Sequence, residues 1–582
     1  MRLVPRSSKR AQGATPVEAR PVVVISPGLN HRARGRDQNG GQRKPRLRLR
    51  ATLSLVAVGA GFMLIAGQLL RLASLHEDAP QAAISKPLAT AFSRPDIVDR
   101  NGRLLANDVV IPSLYADPSV MLDIDEVAHE LSAVIPSLSQ AFIREAVQDR
   151  SRQFVWLKRG ISPSTARAVH ELGLPGLAFQ YELKRAYPAG RLVGHTLGFV
   201  NVDNHGLAGI ERFLDETNQT DPVYSPKLSH RKPVQLSLDL SVQHALHDVL
   251  GDAKRRYKAE AAAGVVIDVR TGEILAAVST PGADPLVPQE AETPERADRL
   301  RSGVFELGSI FKLFTLADAL ERKAVTPDMS IDVTRPLVAD GHVIRDPHPS
   351  PRPLTVSQVF TKSSNVGAGV LALSGGAAAQ QAFLAKLGFD KPLRTEAGRG
   401  AFPQLPRRWN AIETVTVSYG HGLAVAPLQF AAAAVPIVNG GTRVPLTFFK
   451  RPAGWTNTGP RVVSRETVTA MRKMMRANVA SKAGTGWRAD VPGLDVGGKT
   501  GTAEIAVNGR YDPDAVISSF VGAFPMDEPR TLTLLSLFRP QPTRETGGKI
   551  SAGVTAAPAT ARLIERIAPL LPTELLRKPA ND

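Results

Sequence analysis

The sequence predicts a multidomain α+β protein held to a membrane by one N-terminal helix. Three observations carry that expectation. The chain has 582 residues, more than one hydrophobic core supports at roughly 100–200 residues per domain. A single uncharged stretch of membrane-spanning length lies near its start. Beyond it, strand-like and helix-like patterns alternate in two successive blocks, with a fresh start near residue 234. Composition is that of a folded protein, 43% hydrophobic and 22% charged, so disorder along the whole chain is excluded.

The first element, residues 1–50, is a basic tail. It holds thirteen Lys and Arg against Glu18 and Asp37, which places eleven of the eighteen net positive charges there. Rich also in Gly, Pro and Gln, it reads as disordered. Because the excess charge sits in a tail and not over a folded face, nucleic-acid binding is not indicated. A basic tail abutting a membrane meets anionic lipid or cytoplasmic partners.

From Ala51 to Leu70 run twenty residues without a formal charge, ATLSLVAVGAGFMLIAGQLL. As a helix they rise about 30 Å, the thickness of a bilayer core. A cleaved signal peptide is the competing reading, but its apolar region usually runs about 7–15 residues and ends at a small-residue site. Here the run is longer and Arg71 follows it. Arg43, Lys44, Arg46, Arg48 and Arg50 directly precede the span, and such cationic flanks stay in the cytoplasm. The remaining residues are therefore expected outside, in a bitopic protein with no second comparable apolar run. Without cysteine the exterior domains are built without disulfides.

Residues 71–93 read as a tether. In residues 94–106, RPDIVDRNGRLLA, Asn101-Gly102 between apolar residues predicts a hairpin. Helix-like IDEVAHELSAVI and strand-like QFVWLKR and FQYELKR then make residues 94–233 an α+β unit. After polar SPKLSHRKP the pattern restarts at residue 234 with VQLSLDLSVQHALHDVL, a strand turning into an amphipathic helix. In AAAGVVIDVRTGEILAAVS, Thr271-Gly272 separates two apolar runs as in a hairpin. One large domain is expected over 234–569, with a tail over 570–582.

Chemistry concentrates in this last domain. In ELGSIFKLFT, Ser309 and Lys312 stand at i and i+3, so on a helix they touch. Gly308 permits a sharp entry. A serine hydroxyl needs a base to become a nucleophile, and Lys312 serves only if neutral. Its ordinary pKa near 10.4 must then fall by about three units, roughly 4 kcal/mol. Desolvation by Phe311, Leu313 and Phe314, or a second nearby cation, would do this. Spacing alone is weak: Ser229 and Lys232 share it in a polar linker and are taken as a decoy.

Two further elements strengthen the pattern. Ser363-Ser364-Asn365 supplies a hydroxyl and an amide, though such a triplet also serves as a helix cap. In DVGGKTGTAEIAV, a strand would place Thr500 and Thr502 on one side, with Lys499 preceding them, while Gly501 would let a ligand backbone approach. An exposed edge strand is the bland alternative. Taken in order, Ser-x-x-Lys, Ser-x-Asn and Lys-Thr-Gly form the signature of penicillin-recognising serine enzymes. No Cys/His metal spacing or phosphate-binding glycine loop is seen, so no metal and no cofactor are expected.

From about Arg94 to Pro558 the chain resembles class B penicillin-binding proteins, most closely the septal, cell-division type. The resemblance rests on RPDIVDRNGRLLA, on KRAYPAGRLVGHTLGFVNVDNHGLAGIERFLD, on VVIDVRTGEILAAVS, ELGSIFK, SSN, SYGHGLAVAPLQ and GGKTGTAE. It implies a transpeptidase domain with an antiparallel sheet between helices, standing on an elongated α+β pedestal. Residue by residue it implies Ser309 as nucleophile on a peptidoglycan stem peptide and Lys312 as its base. Ser363 and Asn365 would relay protons and hold substrate, and Lys499, Thr500, Gly501 and Thr502 would bind the terminal carboxylate. The backbone N–H groups of Ser309 and Thr502 would form the oxyanion hole.

Implied partners are donor and acceptor stem peptides, β-lactam antibiotics, and divisome membrane proteins including a lipid II polymerase. The implied place is the bacterial inner membrane, with the catalytic domain periplasmic. Leu307, Ile310 and His421 depart from the residues common in the family, as does PGADPLVPQE; these bear on pocket shape. A membrane-tethered β-lactamase or β-lactam sensor, and a division scaffold with secondary catalysis, are the rival functions.

Overall fold

The computed structural model describes residues 45–75, 93–217, 232–507 and 510–572. The tail before residue 45, most of the expected tether, Ser229 and the last ten residues lie outside the described residues. Two compact units divide the chain, residues 1–84 and 85–582. In the first, Pro45–Leu75 is one helix that contains the whole uncharged stretch, and Phe62, Met63, Leu64 and Leu70 are exposed along it.

The sequence reading finds no second run comparable to this one, and that needs correction. Among the described residues, Asn365–Leu387 is by length and composition apolar enough to cross a membrane, while Val56–Arg71 is a shorter apolar stretch. Asn365–Leu387 is a core helix, however: Val366, Ala368, Leu371, Phe383 and Leu384 are buried. Its apolar residues pack on the neighbouring helices of a large domain.

The second unit begins with the hairpin read from RPDIVDRNGRLLA. Strand β1 (Ile97–Val98) pairs antiparallel with β2 (Leu104–Ala116), with Ile97 opposite Ala106. Gly102 takes φ +84° in the turn. Asp99, fully buried, accepts from the N–H groups of Asn101 and Arg103 through Oδ1, each at 2.8 Å. Its Oδ2 accepts from Leu240 N at 3.0 Å, so the turn is stitched to the next domain. β3 (Val155–Lys158) and β4 (Leu177–Ala186) both pair antiparallel with β2. Three helices, Ile124–Val134, Gln140–Val147 and Pro163–Glu171, supply a core with these strands through Val127, Leu131, Ile143, Val147 and Val169. Each helix starts on a side-chain cap, from Asp123, Ser139 and Ser162. β5 (Val234–Gln235) returns to pair in parallel with β1.

A buried ion network closes this layer. Arg185 Nε lies 2.7 Å from Glu211 Oε1, and Arg94 Nε lies 2.9 Å from Glu211 Oε2. Asp108 and Asp215 complete it, at 3.2 Å from Arg185 and 2.6 Å from Arg94. Breaking a buried pair strands a charge at a cost of about 3–5 kcal/mol. Glu211→Ala is therefore expected to lower the stability of the exterior unit by about that amount, read as a fall in the denaturant midpoint; an unchanged midpoint would contradict the network's role.

The larger domain is a five-stranded antiparallel sheet ordered β14-β15-β16-β6-β7. Here β6 is Ala261–Asp268 and β7 Ile274–Thr280, joined by the turn at Gly272; β14 is Gly497–Val507, β15 Arg510–Phe524 and β16 Thr531–Phe538. Three two-stranded ribbons lie between: β8 (Ser330–Ile331) with β11 (Leu354–Thr355), β9 (Leu337–Ala339) with β10 (His342–Ile344), and β12 (Arg394–Thr395) with β13 (Gly398–Arg399).

Side chains alternate between two cores. Val265, Ile267, Leu532 and Leu534 face one, with Leu313, Phe314, Phe430 and Met475 from helices. Ala262, Val266, Leu535 and Leu537 face the other, with Leu246, Leu250, Leu563 and Ile564. Both sheet faces are thus covered, which is why these strands read as unbroken apolar runs.

Candidate active site

The nucleophile candidate sits where one backbone enters a helix under tight restraint. Gly308 has φ +58°, and a Cβ there would fall 2.6 Å from Thr502 O. Residues Gly308–Phe311 form a 3₁₀ turn that runs directly into the helix Lys312–Glu321. A 3₁₀ turn stacks residues i and i+3, and Lys312 Nζ lies 2.9 Å from Ser309 Oγ. Phe311 and Phe314 pack against Phe389 and Phe430, with ring centroids 5.0–5.6 Å apart, and so anchor the turn from below.

Lys312 is fully buried. Its Nζ also lies 2.7 Å from Ser363 O, 3.2 Å from Ser363 Oγ and 2.6 Å from Asn365 Oδ1. Burial holds its pKa well below the ordinary lysine value; the charge of Lys499 lowers it further, and Asp346 opposes both. Lys499, equally buried, reaches Ser363 Oγ at 2.9 Å. Its pKa is lowered by burial to about 7. One hydroxyl therefore bridges two amines.

The Ser363-Ser364-Asn365 triplet turns out to divide the two tasks the sequence left open. Ser364 is the cap: its Oγ accepts from Gly367 N at 2.9 Å at the start of Asn365–Leu387. Ser363, in the left-handed region at φ 59°, and Asn365 point to the lysines. Asp346 is a residue the sequence reading missed. It accepts from Ser364 Oγ at 2.6 Å, from Val366 N at 3.0 Å and from Asn365 N, tying this helix start to the loop after β10. An Asp-Pro in a loop carries no spacing signal that could have found it.

Strand β14 supplies the opposite wall and is the sheet's edge strand. Thr500 Oγ1 donates to Thr485 Oγ1 at 2.7 Å. Asn478, from the helix Arg465–Ala480, accepts from Thr485 N at 3.0 Å and donates to Gly498 O at 2.9 Å. Ala552 N donates to Thr502 Oγ1 at 3.1 Å. Thr485 and Asn478 were also invisible to motif reading.

Gly501 requires a different explanation from ligand approach. A Cβ there would lie 2.6 Å from Leu307 O and 2.9 Å from Ile310 Cγ2. The bare position lets β14 press on the turn that carries Ser309.

Sequence position 421 also acquires surroundings. His421 lies between the rings of Tyr419 and Tyr511, at 5.4 and 5.5 Å. Glu306 Oε2 is 3.8 Å from His421 Nδ1, while Glu306 Oε1 accepts from Gly422 N at 2.9 Å and from Tyr511 OH at 3.0 Å. Burial, then the charge of Lys312, pushes His421 down to about 4, so it is neutral at pH 7.

Two uncharged-leaning amines inside a protein destabilise it in a way that depends on pH. An unfolded lysine keeps its proton up to about pH 10.4, whereas folded Lys499 releases it near 7. Between those values the unfolded state binds more protons, so the contribution of this group to stability rises with pH. Lys499→Met removes that slope. The melting-temperature advantage of Lys499→Met over the wild type is expected to shrink as pH rises from about 7 to about 10; a constant difference would contradict the shift.

A serine and a lysine in contact at a helix start, beside a second lysine on a sheet edge, define an acylating site of the penicillin-recognising kind. Comparison with known proteins agrees. Residues 262–559 match the family model "Penicillin binding protein transpeptidase domain", and residues 90–221 match "Penicillin-binding Protein dimerisation domain". The chain is 38% identical over 487 residues to the probable peptidoglycan D,D-transpeptidase FtsI of Caulobacter vibrioides, covering 82% of this chain and 81% of that protein. It is 32% identical over 495 residues to the peptidoglycan D,D-transpeptidase FtsI of Escherichia coli K12, covering 80% and 82%. The solved transpeptidase domain of Burkholderia pseudomallei penicillin-binding protein 3 matches with a TM-score of 0.52 at 34% identity, covering 58% of this chain and 96% of that one. The chain belongs to the class B penicillin-binding proteins, of the septal type.

Proposed function

We infer that this protein is a serine D,D-transpeptidase that cross-links peptidoglycan stem peptides in septal wall synthesis. The observation that supports this most is the convergence of Ser309, Lys312, Ser363, Asn365 and Lys499 through contacts of 2.6–3.2 Å. In this reading Ser309 Oγ attacks the penultimate D-Ala carbonyl while neutral Lys312 takes its proton. The proton passes through Ser363 to the departing D-Ala amine. Asn365 orients Lys312, and Lys499 polarises the network through Ser363 Oγ.

Because β14 is an edge strand, a donor peptide adds to it by β-augmentation, with its terminal carboxylate at the hydroxyls of Thr500 and Thr502. The N–H groups of Ser309 and Thr502 meet the oxyanion; removing one such donor typically costs about 100- to 1000-fold in rate. The amine of a second stem peptide then attacks the acyl carbon, and its proton returns through Lys312 to Ser309 Oγ. A β-lactam acylates Ser309 and keeps its leaving group tethered, so the adduct persists.

Residues 94–233 act as the pedestal and 234–569 as the catalytic domain, with 570–582 a tail. The helix Pro45–Leu75 crosses the inner membrane once, with its basic N-terminal flank cytoplasmic and the catalytic domain periplasmic. Divisome membrane proteins, including a lipid II polymerase, are the partners expected along the anchor and pedestal. A β-lactamase or sensor would leave the pedestal without a purpose, and a scaffold with secondary catalysis would not need all three motifs in contact.

The deciding experiment treats full-length protein with penicillin, then with a donor and an amine acceptor peptide. A stable penicilloyl mass on the peptide containing Ser309, together with a cross-linked product, is expected. Rapid release of penicilloic acid without a lasting adduct would instead indicate a hydrolase.

A further inference from the structure

The helix that begins at Asn365 is broken. Gly376, at φ 74° and ψ 174°, leaves helical conformation inside Asn365–Leu387. The segment before it therefore ends like a separate helix, and near that end Leu371 O accepts from Ser374 Oγ at 2.7 Å.

Arg322 occupies that end. It is the residue that follows the helix Lys312–Glu321, and its Nη2 donates to Leu371 O at 3.3 Å and reaches Ser374 Oγ at 3.5 Å. Arg322 Nε donates to Asp318 Oδ2 at 3.0 Å, which sets the fork's direction. A Cβ on Gly375 would lie 2.5 Å from Arg322 Cζ and 2.7 Å from Nη2, so the guanidinium fills the space that glycine leaves.

At the other end of the same two helices, Lys312 Nζ meets Asn365 Oδ1 at 2.6 Å. The helix with the base and the helix with the amide are thus tied twice, once in the site and once farther on, about three turns along the first helix and under two along the second. A cation at a helix C-terminus both satisfies orphan carbonyls and complements the helix dipole.

We propose that Arg322 is a positioning residue for acylation: by capping the broken helix at Leu371 it holds Asn365 against Lys312. This rests on the role given to Lys312 and Asn365 above. Without the cap, the short helix loses the tie to its neighbour at its far end and keeps those at its start, from Asp346. Misplacement of a catalytic group by about 1 Å costs up to about 100-fold in rate.

The test measures the second-order rate of penicillin acylation on folded, full-length protein. Arg322→Ala is expected to lower it about tenfold, and Gly375→Ala, which displaces the guanidinium while keeping both charges, about as much. Gly375→Ala also carries the test if Arg322→Ala does not fold. In an Asn365→Ala background, either change is expected to cost less than about twofold, because the interaction it serves is already gone. Wild-type rates in the single variants, or the same loss with and without Asn365, would overturn the proposal while leaving the catalytic assignment standing. Wild-type acylation by Asn365→Ala alone would overturn both.

Discussion

Lys312→Arg is expected to lower acylation of Ser309 by on the order of 1000-fold or more, the upper range of what a positioned base contributes. A guanidinium keeps its proton at any accessible pH, so it cannot take the one from Ser309 Oγ. The substitution puts a fixed positive charge where the account requires a neutral amine, so a loss is read as lost proton transfer and not as lost electrostatic attraction. Larger than lysine, the arginine must fit a fully buried position, so the folded fraction is measured alongside the rate. The wild-type rate is also expected to fall on acidification as Lys312 gains its proton, and the variant has no such limb to show. Stopped-flow labelling with a fluorescent penicillin reads both; a wild-type rate in the variant would remove Lys312 from the mechanism.

Gly420→Ala is expected to lower the same rate by about 100-fold, as misplacement of a nucleophile does. Three backbones meet around Ser309 with no room for a side chain. Gly420 stands at φ +81°, and a Cβ there would lie 2.2 Å from Gly308 O and 2.8 Å from Gly308 C. These neighbours are main-chain atoms, so relief moves the turn that carries Ser309. The contact is part of the design, since Gly308 N donates to Gly420 O at 3.3 Å. An alanine also pays for its left-handed conformation, about 1–2 kcal/mol. Labelling rate and melting temperature should fall together; a wild-type rate would show that the SYGHG turn does not position the nucleophile.

Local patterns in the sequence proved readable wherever one short segment decided the outcome. Both hairpins appear at Asn101-Gly102 and Thr271-Gly272, because left-handed turn residues between apolar runs permit little else. The helix from Leu240 to Arg256 follows its strand as the amphipathic pattern requires. Ser309 and Lys312 came within reach because their spacing alone brings them together. What distant segments contribute was not legible. Asp346, Thr485 and Asn478 join the site from a loop, a turn and the last turn of a helix, and no spacing connects them to the motifs they support.

The burial of Lys312 shows the same limit. The sequence places Phe311, Leu313 and Phe314 next to it, yet Phe311 and Phe314 pack with Phe389 and Phe430, and the amine is enclosed by Ser363, Asn365 and the Tyr419 ring at 6.0 Å. Nearness in sequence was therefore a poor guide to what desolvates the amine. Gly501 was misread for a related reason: from the sequence a missing side chain looks like room for a ligand, whereas the room is taken by Leu307 and Ile310.

The account stands on an amine that is uncharged while the enzyme works. The most direct measurement is an NMR titration of the full-length protein in detergent with 13Cε-labelled lysine, assigned with Lys312→Arg and Lys499→Arg. Two resonances are expected to titrate far below the rest, Lys499 near 7 and Lys312 well under its ordinary value, as a coupled pair. If every lysine instead titrates together near about 10.4, Lys312 is charged at neutral pH and cannot be the base.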